Sequence, residues 1–428
     1  MAGIKIVYPI CCGMDVHRDF VVACIASTDS KGVTVYQTKR FSTFSKGLRD
    51  MRDWLTVNNC RDVCMESTGK YWYPVHNILE ASCNVVVSHP KFVKAIKGKK
   101  TDKKDAKWIA DLFKHDLVRG SFIPPEDIRQ LRDLCRYWVK LSSNGTGEKN
   151  RAQNCLTVSN FKLDSVFSNV FGKSATAIIN QLLDHPGVSF DVTPFVDGRC
   201  RTPISEIQEA VDGAFNPWQA EKLKVVQEHL HDIEKCKALI EDLILRLAEP
   251  YLHQVELLLT VPGISDPFTA IRIIAEIGVD MSQFDTSKHL CSWAGLVPQN
   301  NESAGKKKTT RIGKAGQYIK PLLVQCALAA SNPRSTKQLE ILRKYQQLKK
   351  RRGSKKARVA IARRLLTAIY HILLNDVVYS PYSSSENTSV PSNRVLTSEQ
   401  ALAMLRSQGY IITDNSETIS TESEVNLA

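Results

Sequence analysis

Thr101-Asp102-Lys103-Lys104-Asp105-Ala106-Lys107-Trp108-Ile109-Ala110-Asp111-Leu112 is the stretch around which the other segments of the chain take their meaning. It holds no Gly or Pro, and with the apolar Ile109 and Leu112 it predicts a helix. Asp102 and Asp105 are then i and i+3 neighbours with their carboxylates on one face. Two anions held that close repel, and Lys103, Lys104 and Lys107 offset the repulsion only in part. A divalent cation that takes both acids as oxygen ligands removes it. The plain alternative is a solvated, salt-bridged helix start.

Acids placed upstream favour the cation. From Ile6 to Ser27 the sequence reads as strand, turn and strand about the polar His17-Arg18-Asp19, and a third strand, Val33 to Arg40, follows the Asp29-Ser30-Lys31-Gly32 turn. Phe44 to Val57 carries helical periodicity. A short strand (Arg61 to Glu66), a helix (Tyr71 to Ala81) and an apolar strand (Asn84 to Ser88) come next. A three-strand meander followed by alternating helices and strands predicts an α/β domain whose central strands are covered on both faces. Asp15 and Glu66 fall at strand ends, where sites in such sheets gather, so both are expected near the Asp102/Asp105 helix. Taken singly, Asp15 reads equally well as a turn residue, and Glu66 as an acid complementing a helix N-terminus.

Downstream, Glu126 to Asn154 is expected to be a long basic helix interrupted at Gly145 and Gly147. Its Arg129, Arg132, Arg136, Lys140, Lys149 and Arg151 alternate with Leu131, Leu134, Tyr137, Trp138 and Leu141. That pattern suits a nucleic-acid backbone or an ordinary charged outer face. Phe161 to Gly213 is irregular, with turns at Pro186-Gly187 and Asp197-Gly198. Gln219 to Glu249 carries an apolar heptad through Leu223, Val226, Leu230, Ile233, Ile240, Ile244 and Leu247, with Lys237 out of pattern. The heptad predicts a coiled-coil or helical-hairpin seam, open to self-association.

Val261-Pro262-Gly263-Ile264 before a helix at Pro267 to Ile277 resembles a helix-hairpin-helix whose amides face a phosphate, and packing explains it equally well. Leu290 to Pro298 leads into a polar loop, Gln299 to Gly305, and then Lys306, Lys307, Lys308, Arg311 and Lys314. Helices at Pro321 to Ala330 and Ala357 to Val378 flank the densest basic run, Lys349 to Lys356, which includes Lys350, Arg351 and Arg352. The run is a footprint for phosphates or a solvated connector. From Ser380 the composition predicts a largely disordered tail, with one short helix at Ser398 to Gln408.

Composition agrees with a nucleic-acid partner. The 428 residues are 43% hydrophobic, enough for two or three domains with cores of their own. The net charge of +14 calls for a polyanion, and the crowding of Lys and Arg in the C-terminal third favours nucleic acid. A membrane surface is the weaker fit, because no apolar run spans a bilayer and no signal peptide opens the chain. A cytoplasmic protein is expected. The twelve cysteines form no C-x-x-C pair and read as reduced core thiols rather than a zinc site.

Several short markers stand in order along the chain: Gly13-Met14-Asp15-Val16-His17, Met65-Glu66-Ser67-Thr68-Gly69, Thr101 to Ala106, Val261-Pro262-Gly263-Ile264, Ala275-Glu276-Ile277-Gly278, Ala294-Gly295-Leu296-Val297-Pro298, Ser303-Ala304-Gly305-Lys306 and Ile312-Gly313-Lys314-Ala315-Gly316. Together they resemble the insertion-sequence one-hundred-and-ten family of transposases, relatives of the Piv-type DNA invertases, over roughly Pro9 to Val378. The resemblance implies a RuvC-like (RNase-H-type) α/β domain at 6–125, a helical linker and coiled-coil region at 126–255, a mainly α-helical transposase domain at 256–378 and the tail at 379–428. It implies a Mg²⁺ site made by Asp15, Glu66, Asp102 and Asp105, and a serine nucleophile at Ser303, whose Ala304-Gly305-Lys306 stands where the family usually has Ser/Gly-Gly-Lys.

Ser265 and Ser292 are rivals for the nucleophile, expected in apolar packing. Lys306, Lys307, Lys308 and Arg311 are expected to stabilise charge on phosphorus or to hold DNA. The family further implies a structured bridge RNA that pairs with donor and target DNA, and a homo-oligomer, dimer or tetramer, with shared sites. Two other readings share the residues: a metal-dependent junction nuclease that hydrolyses DNA with the acids alone, and a nucleic-acid-binding assembly protein without catalysis.

Overall fold

The apolar runs Ile10–Val16 (β1) and Phe20–Thr28 (β2), buried on both faces, and the largely exposed edge strand Thr34–Ser42 (β3) form an antiparallel meander. In this computed structural model, which describes residues 5–67, 69–93, 101–298, 301–303, 306–309, 311–332 and 339–381, helix Ser45–Val57 (α1) follows. Strand Asp62–Glu66 (β4), helix Trp72–Leu79 (α2) and strand Asn84–Ser88 (β5) come next. A short helix, Pro90–Val93 (α3), and the helix Asp102–Lys114 (α4) complete the domain. The sheet order is β3-β2-β1-β4-β5, with β4 and β5 parallel to β1. The meander with two parallel strands added on its β1 side is the RNase-H-type arrangement that the family resemblance implies.

Both faces of the sheet are covered, as expected. Met14, Val16, Val21, Ala23, Val63 and Met65 pack on Leu48, Met51 and Leu55 of α1 and on Val75 and Leu79 of α2. The opposite face, with Cys11, Cys64, Val22 and Cys24, receives Ala106, Ile109, Ala110 and Phe113 of α4. Tyr36 on β3 donates to Asp111 at 2.5 Å and carries the Lys107 ammonium 3.9 Å above its ring, which ties α4 to the edge of the meander.

Helix Glu126–Val158 (α5) runs unbroken through Gly145 and Gly147, against expectation. It pairs antiparallel with Pro217–Leu247 (α9), and Gly145 is buried with Ile233 Cγ2 3.6 Å from where its Cβ would stand. The apolar seam of α9 is thereby filled from within the chain: Leu223, Val226, Ile233 and Ile244 are all buried. This is the helical-hairpin form of the expected seam, and self-association through these same residues would require α5 to leave. Lys237 fits because its ammonium bonds Glu234 at 2.9 Å and lies 5.3 Å over the Trp138 ring.

The segment that the sequence leaves irregular forms three short helices, Leu163–Val166 (α6), Lys173–Asp184 (α7) and Ile204–Ala210 (α8). They pack on the far end of the α5/α9 pair around Leu156, Phe161, Ile178 and Ile207.

The near end of the pair belongs to another core. Ile128, Leu131 and Ile244 join helices Leu252–Leu259 (α10), Pro267–Ile277 (α11) and Ser287–Trp293 (α12). Beyond a small hairpin, Asn301–Ser303 (β6) and Lys306–Thr309 (β7), lie Ile319–Ala330 (α13), Leu339–Arg352 (α14) and Ser354–Asn375 (α15). The arginines of α5 serve this packing. Arg136 holds Glu276 at 2.7 and 2.8 Å, Arg132 donates to the carbonyls of Ala275 and Glu276, and Arg129 holds Glu80 of the first domain. Arg151 pairs with Glu148 on the same helix. Four of the six basic residues on which the nucleic-acid reading of α5 rested are thus engaged in ion pairs or backbone hydrogen bonds within the chain.

The Pro262-Gly263 turn likewise faces protein rather than a phosphate, for a Cβ on Gly263 would fall 2.1 Å from the Cys326 carbonyl oxygen of α13. Most cysteines lie in the cores, where burial pushes the Cys11 and Cys64 thiols up to about 12. No helix among the described residues is long and apolar enough to cross a membrane. The expected helix at Ser398 to Gln408 lies outside the described residues, as does the tail from residue 382 on.

Candidate active site

Strand register decides where the acids stand. Gly13 pairs with Cys64 and Met14 with Met65 in the parallel β1/β4 ladder, so Asp15 and Glu66 each stand one residue beyond the last paired position. Cys11, Gly13 and Asp15 point to one face, and so do Cys64 and Glu66, because side chains alternate along a strand. That is the face covered by α4. Gly13 lets this helix approach β1 closely, and the approach brings the first turn of α4 to the end of the strand. The Thr101 hydroxyl caps the helix by accepting from the Lys104 amide, which fixes the turn that carries Asp102 and Asp105.

The described geometry ties Asp15 to Asp102 through a third residue. His17 Nε2 lies 3.1 Å from Asp15 Oδ2 and 3.8 Å from Asp102 Oδ1. One ligand atom from each of Asp15, His17 and Asp102 falls within 4.8 Å of the others. Ligands on opposite sides of one Mg²⁺ stand ~4 Å apart, so small side-chain rotations suffice to close around an ion. Burial raises the Asp15 carboxyl above its ordinary value, His17 opposes the rise, and Asp105 and Asp102 add to it. A carboxylate cluster whose members disfavour each other's charge suits a hard divalent cation.

His17 is absent from the four acids read from the sequence. Its signal was its place two residues after Asp15 in a polar turn. The turn bends back so that the His17 amide donates to the Phe20 carbonyl, and the ring returns to the acids.

Ser303 lies on the β6/β7 hairpin, a two-stranded sheet of its own rather than the sheet that carries Asp15 and Glu66. Within the expected polar loop, Asn301–Ser303 is a short strand that pairs antiparallel with Lys306–Thr309, Ser303 opposite Lys306. The base of the hairpin is an isolated bridge between Pro298 and Ile312. Below the bridge, two of the sequence markers meet: a Cβ on Gly295 would lie 2.4 Å from the Ala315 carbonyl oxygen, and one on Gly316 would lie 2.1 Å from that of Ala294. Lys320 Nζ donates to the carbonyls of Gly313 and Ala315 at 2.8 Å each, which closes the neck.

Lys306, Lys307 and Lys308 belong to β7, and Arg311 and Lys314 are exposed on the returning side of the neck. Ala304 and Gly305 lie outside the described residues, as does Thr68 of the Glu66 marker. Lys350, Arg351 and Arg352 are exposed on the last turn of α14. The rivals Ser265 and Ser292 are exposed rather than held in apolar packing, because each lies on the solvent side of its turn or helix.

A separate cavity of about 1190 Å³ opens between α2, α5 and α9, lined by Tyr73, Arg136, Tyr137, Lys140, Arg246 and Tyr318 among others. Two of those cations are already paired, Arg136 with Glu276 and Arg246 with Asp242.

Comparison with known proteins rests on both halves of the chain. Residues 12–160 match the DEDD transposase family of IS110 elements, and residues 255–340 match the Transposase IS116/IS110/IS902 family. The chain belongs to the IS110 family of transposases. A Pseudomonas aeruginosa protein named "Probable family 20 transposase" is 25% identical over 326 residues, covering 74% of this chain and 86% of that protein. The pilin gene-inverting protein of Moraxella bovis is 33% identical over 123 residues, 28% of this chain and 37% of that protein. Among solved structures, Thermus thermophilus RuvC matches 26% of this chain and 99% of its own, at 11% identity and a TM-score of 0.21. The IS110-family chain is therefore a DNA transposase/recombinase, and its substrate is DNA.

Proposed function

We propose that this transposase cuts and rejoins DNA through a magnesium site made by Asp15, Glu66, Asp102 and Asp105 and through a nucleophilic Ser303. The observation that carries the reading is the convergence of Asp15 and Asp102 on His17, from positions far apart in the sequence. When bound, Mg²⁺ neutralises charge on the scissile phosphate and assists the nucleophile. Asp15, Glu66, Asp102 and Asp105 would hold it, with His17 within reach of Asp15 and Asp102.

Ser303 Oγ attacks phosphorus, so one serine–phosphate bond forms as one phosphodiester bond breaks. The departing oxygen takes up a proton in place of the one the serine gives up. The number of phosphate esters is conserved, so the strands are religated without ATP. Lys306, Lys307, Lys308, Arg311 and Lys314 hold the DNA backbone near the serine, and Lys350, Arg351 and Arg352 add an electrostatic footprint for nucleic acid.

A structured bridge RNA chooses donor and target by base pairing, and a homo-oligomer brings the acids of one region to the serine of another. Asp102→Ala and Ser303→Ala are each expected to abolish strand exchange while leaving nucleic-acid binding largely intact. A denaturation-resistant protein–DNA adduct should form with the native chain and vanish with Ser303→Ala. Metal-dependent cutting without any adduct would replace the serine route by simple hydrolysis. Sequencing the nucleic acid that co-purifies tests the RNA.

A further inference from the structure

The row of side chains that carries Asp15 continues across the sheet. Asp15 pairs with Val22 on β2, and Val22 pairs with Arg40 on β3. Residues paired across antiparallel strands share a face, so Arg40 lies on the same face as the acids, two strand spacings or about 10 Å from Asp15.

Arg40 is exposed, and its guanidinium carbon stands 3.6 Å from the centre of the Phe20 ring. Phe20 packs in turn against the His17 ring at 4.5 Å, and His17 reaches Asp15 and Asp102. Its neighbour Lys39 faces the other side of the sheet, over Phe41. The stack therefore selects one cation and carries it to the rim of the acid cluster. An aromatic face supports a guanidinium without neutralising it and leaves the N–H edge open to a phosphate, whose oxygens match the planar fork.

The geometry points to Arg40 as a phosphate-binding residue that grips the DNA strand at a phosphate farther along from the one facing the acids. A cluster of carboxylates repels a polyanion, and a single anchored cation on the same row counters that repulsion and fixes the line along which the strand enters. The inference rests on the proposed role of the acids as the cutting site, but its test needs no cutting.

The full chain is titrated onto a short DNA duplex of arbitrary sequence, with EDTA present, over a series of salt concentrations. Arg40→Ala should weaken binding severalfold on every sequence and make the logarithmic salt slope shallower by about one. Arg40→Lys, which keeps the charge, should retain the slope. Lys31→Ala, in the turn at the opposite end of β2 and β3, should change neither. An unchanged slope in Arg40→Ala overturns the inference, as does an equal loss in Lys31→Ala or a fall in slope that comes with a lower melting temperature. Failure of the acid site shows separately, as strand cutting that persists in Asp102→Ala whatever the salt slope of Arg40→Ala.

Discussion

Gly13 lies directly beneath Ala110: a Cβ built on Gly13 would stand 2.2 Å from the Ala110 amide nitrogen and 2.4 Å from the Ala106 carbonyl oxygen. Both of those atoms belong to backbone that cannot turn aside. The glycine is therefore what allows α4 to lie close enough to β1 for Asp102 to share His17 with Asp15. Gly13→Ala is expected to cost about 1–3 kcal/mol as an overpacked core, read from urea unfolding. It should also weaken divalent-cation binding, measured by calorimetry on the folded variant. Native cation affinity in that variant would separate the close helix approach from the site.

Asp15 carries charge where the fold disfavours it. Its folded-state pKa is raised, chiefly by burial, so the ionised form costs stability at neutral pH, and that cost disappears as pH falls below the ordinary carboxylate range. Asp15→Asn should therefore leave the metal-free protein at least as stable as the native chain. Magnesium should raise the melting temperature of the native chain and not that of the variant. A variant that melts lower without metal and still responds to magnesium would contradict both parts.

Gly145 and Gly147 sit inside an unbroken helix, with room for a methyl group at each. A Cβ on Gly145 would be 3.6 Å from Ile233, and one on Gly147 would be 3.9 Å from Arg151, both ordinary contact distances. Gly147→Ala and Gly145→Ala should each stabilise the chain by about 0.5–1 kcal/mol through helix propensity. The check is the midpoint of chemical denaturation, and a loss of stability at Gly145 would mean that α5 and α9 pack more tightly than this spacing.

Glu276 is buried and grips Arg136 with both oxygens, while Arg132 bonds the adjoining backbone. Removing its carboxylate leaves a cation with its partner gone inside the joint between α5 and α11. Glu276→Ala is expected to cost about 3 kcal/mol, seen in equilibrium unfolding, with Arg136→Ala adding little on top because the two act as one unit. Full additivity of the two substitutions would show that the pair is not the joint.

The amino-acid sequence by itself determined the elements of the first domain and the acids they carry. The apolar runs of β1 and β2, bounded by polar turns, and the helical spacing of Ile109 and Leu112 are local properties, legible without knowing the neighbours. The order of meander, helix and parallel strand then leaves few ways to close a sheet, and Asp15 and Glu66 fall at strand ends in any of them.

Tertiary structure alone decided which surfaces meet. Gly145 looked like a helix break until Ile233 came to lie against it, Lys237 looked misplaced until Trp138 passed beneath it, and the arginines of α5 looked free until Glu80 and Glu276 arrived. His17 joined the acids only because its turn folds back, and Arg40 entered their row only through β2. Periodicity is written into neighbouring residues, whereas a contact between residues a hundred positions apart exists only once the chain has closed on itself.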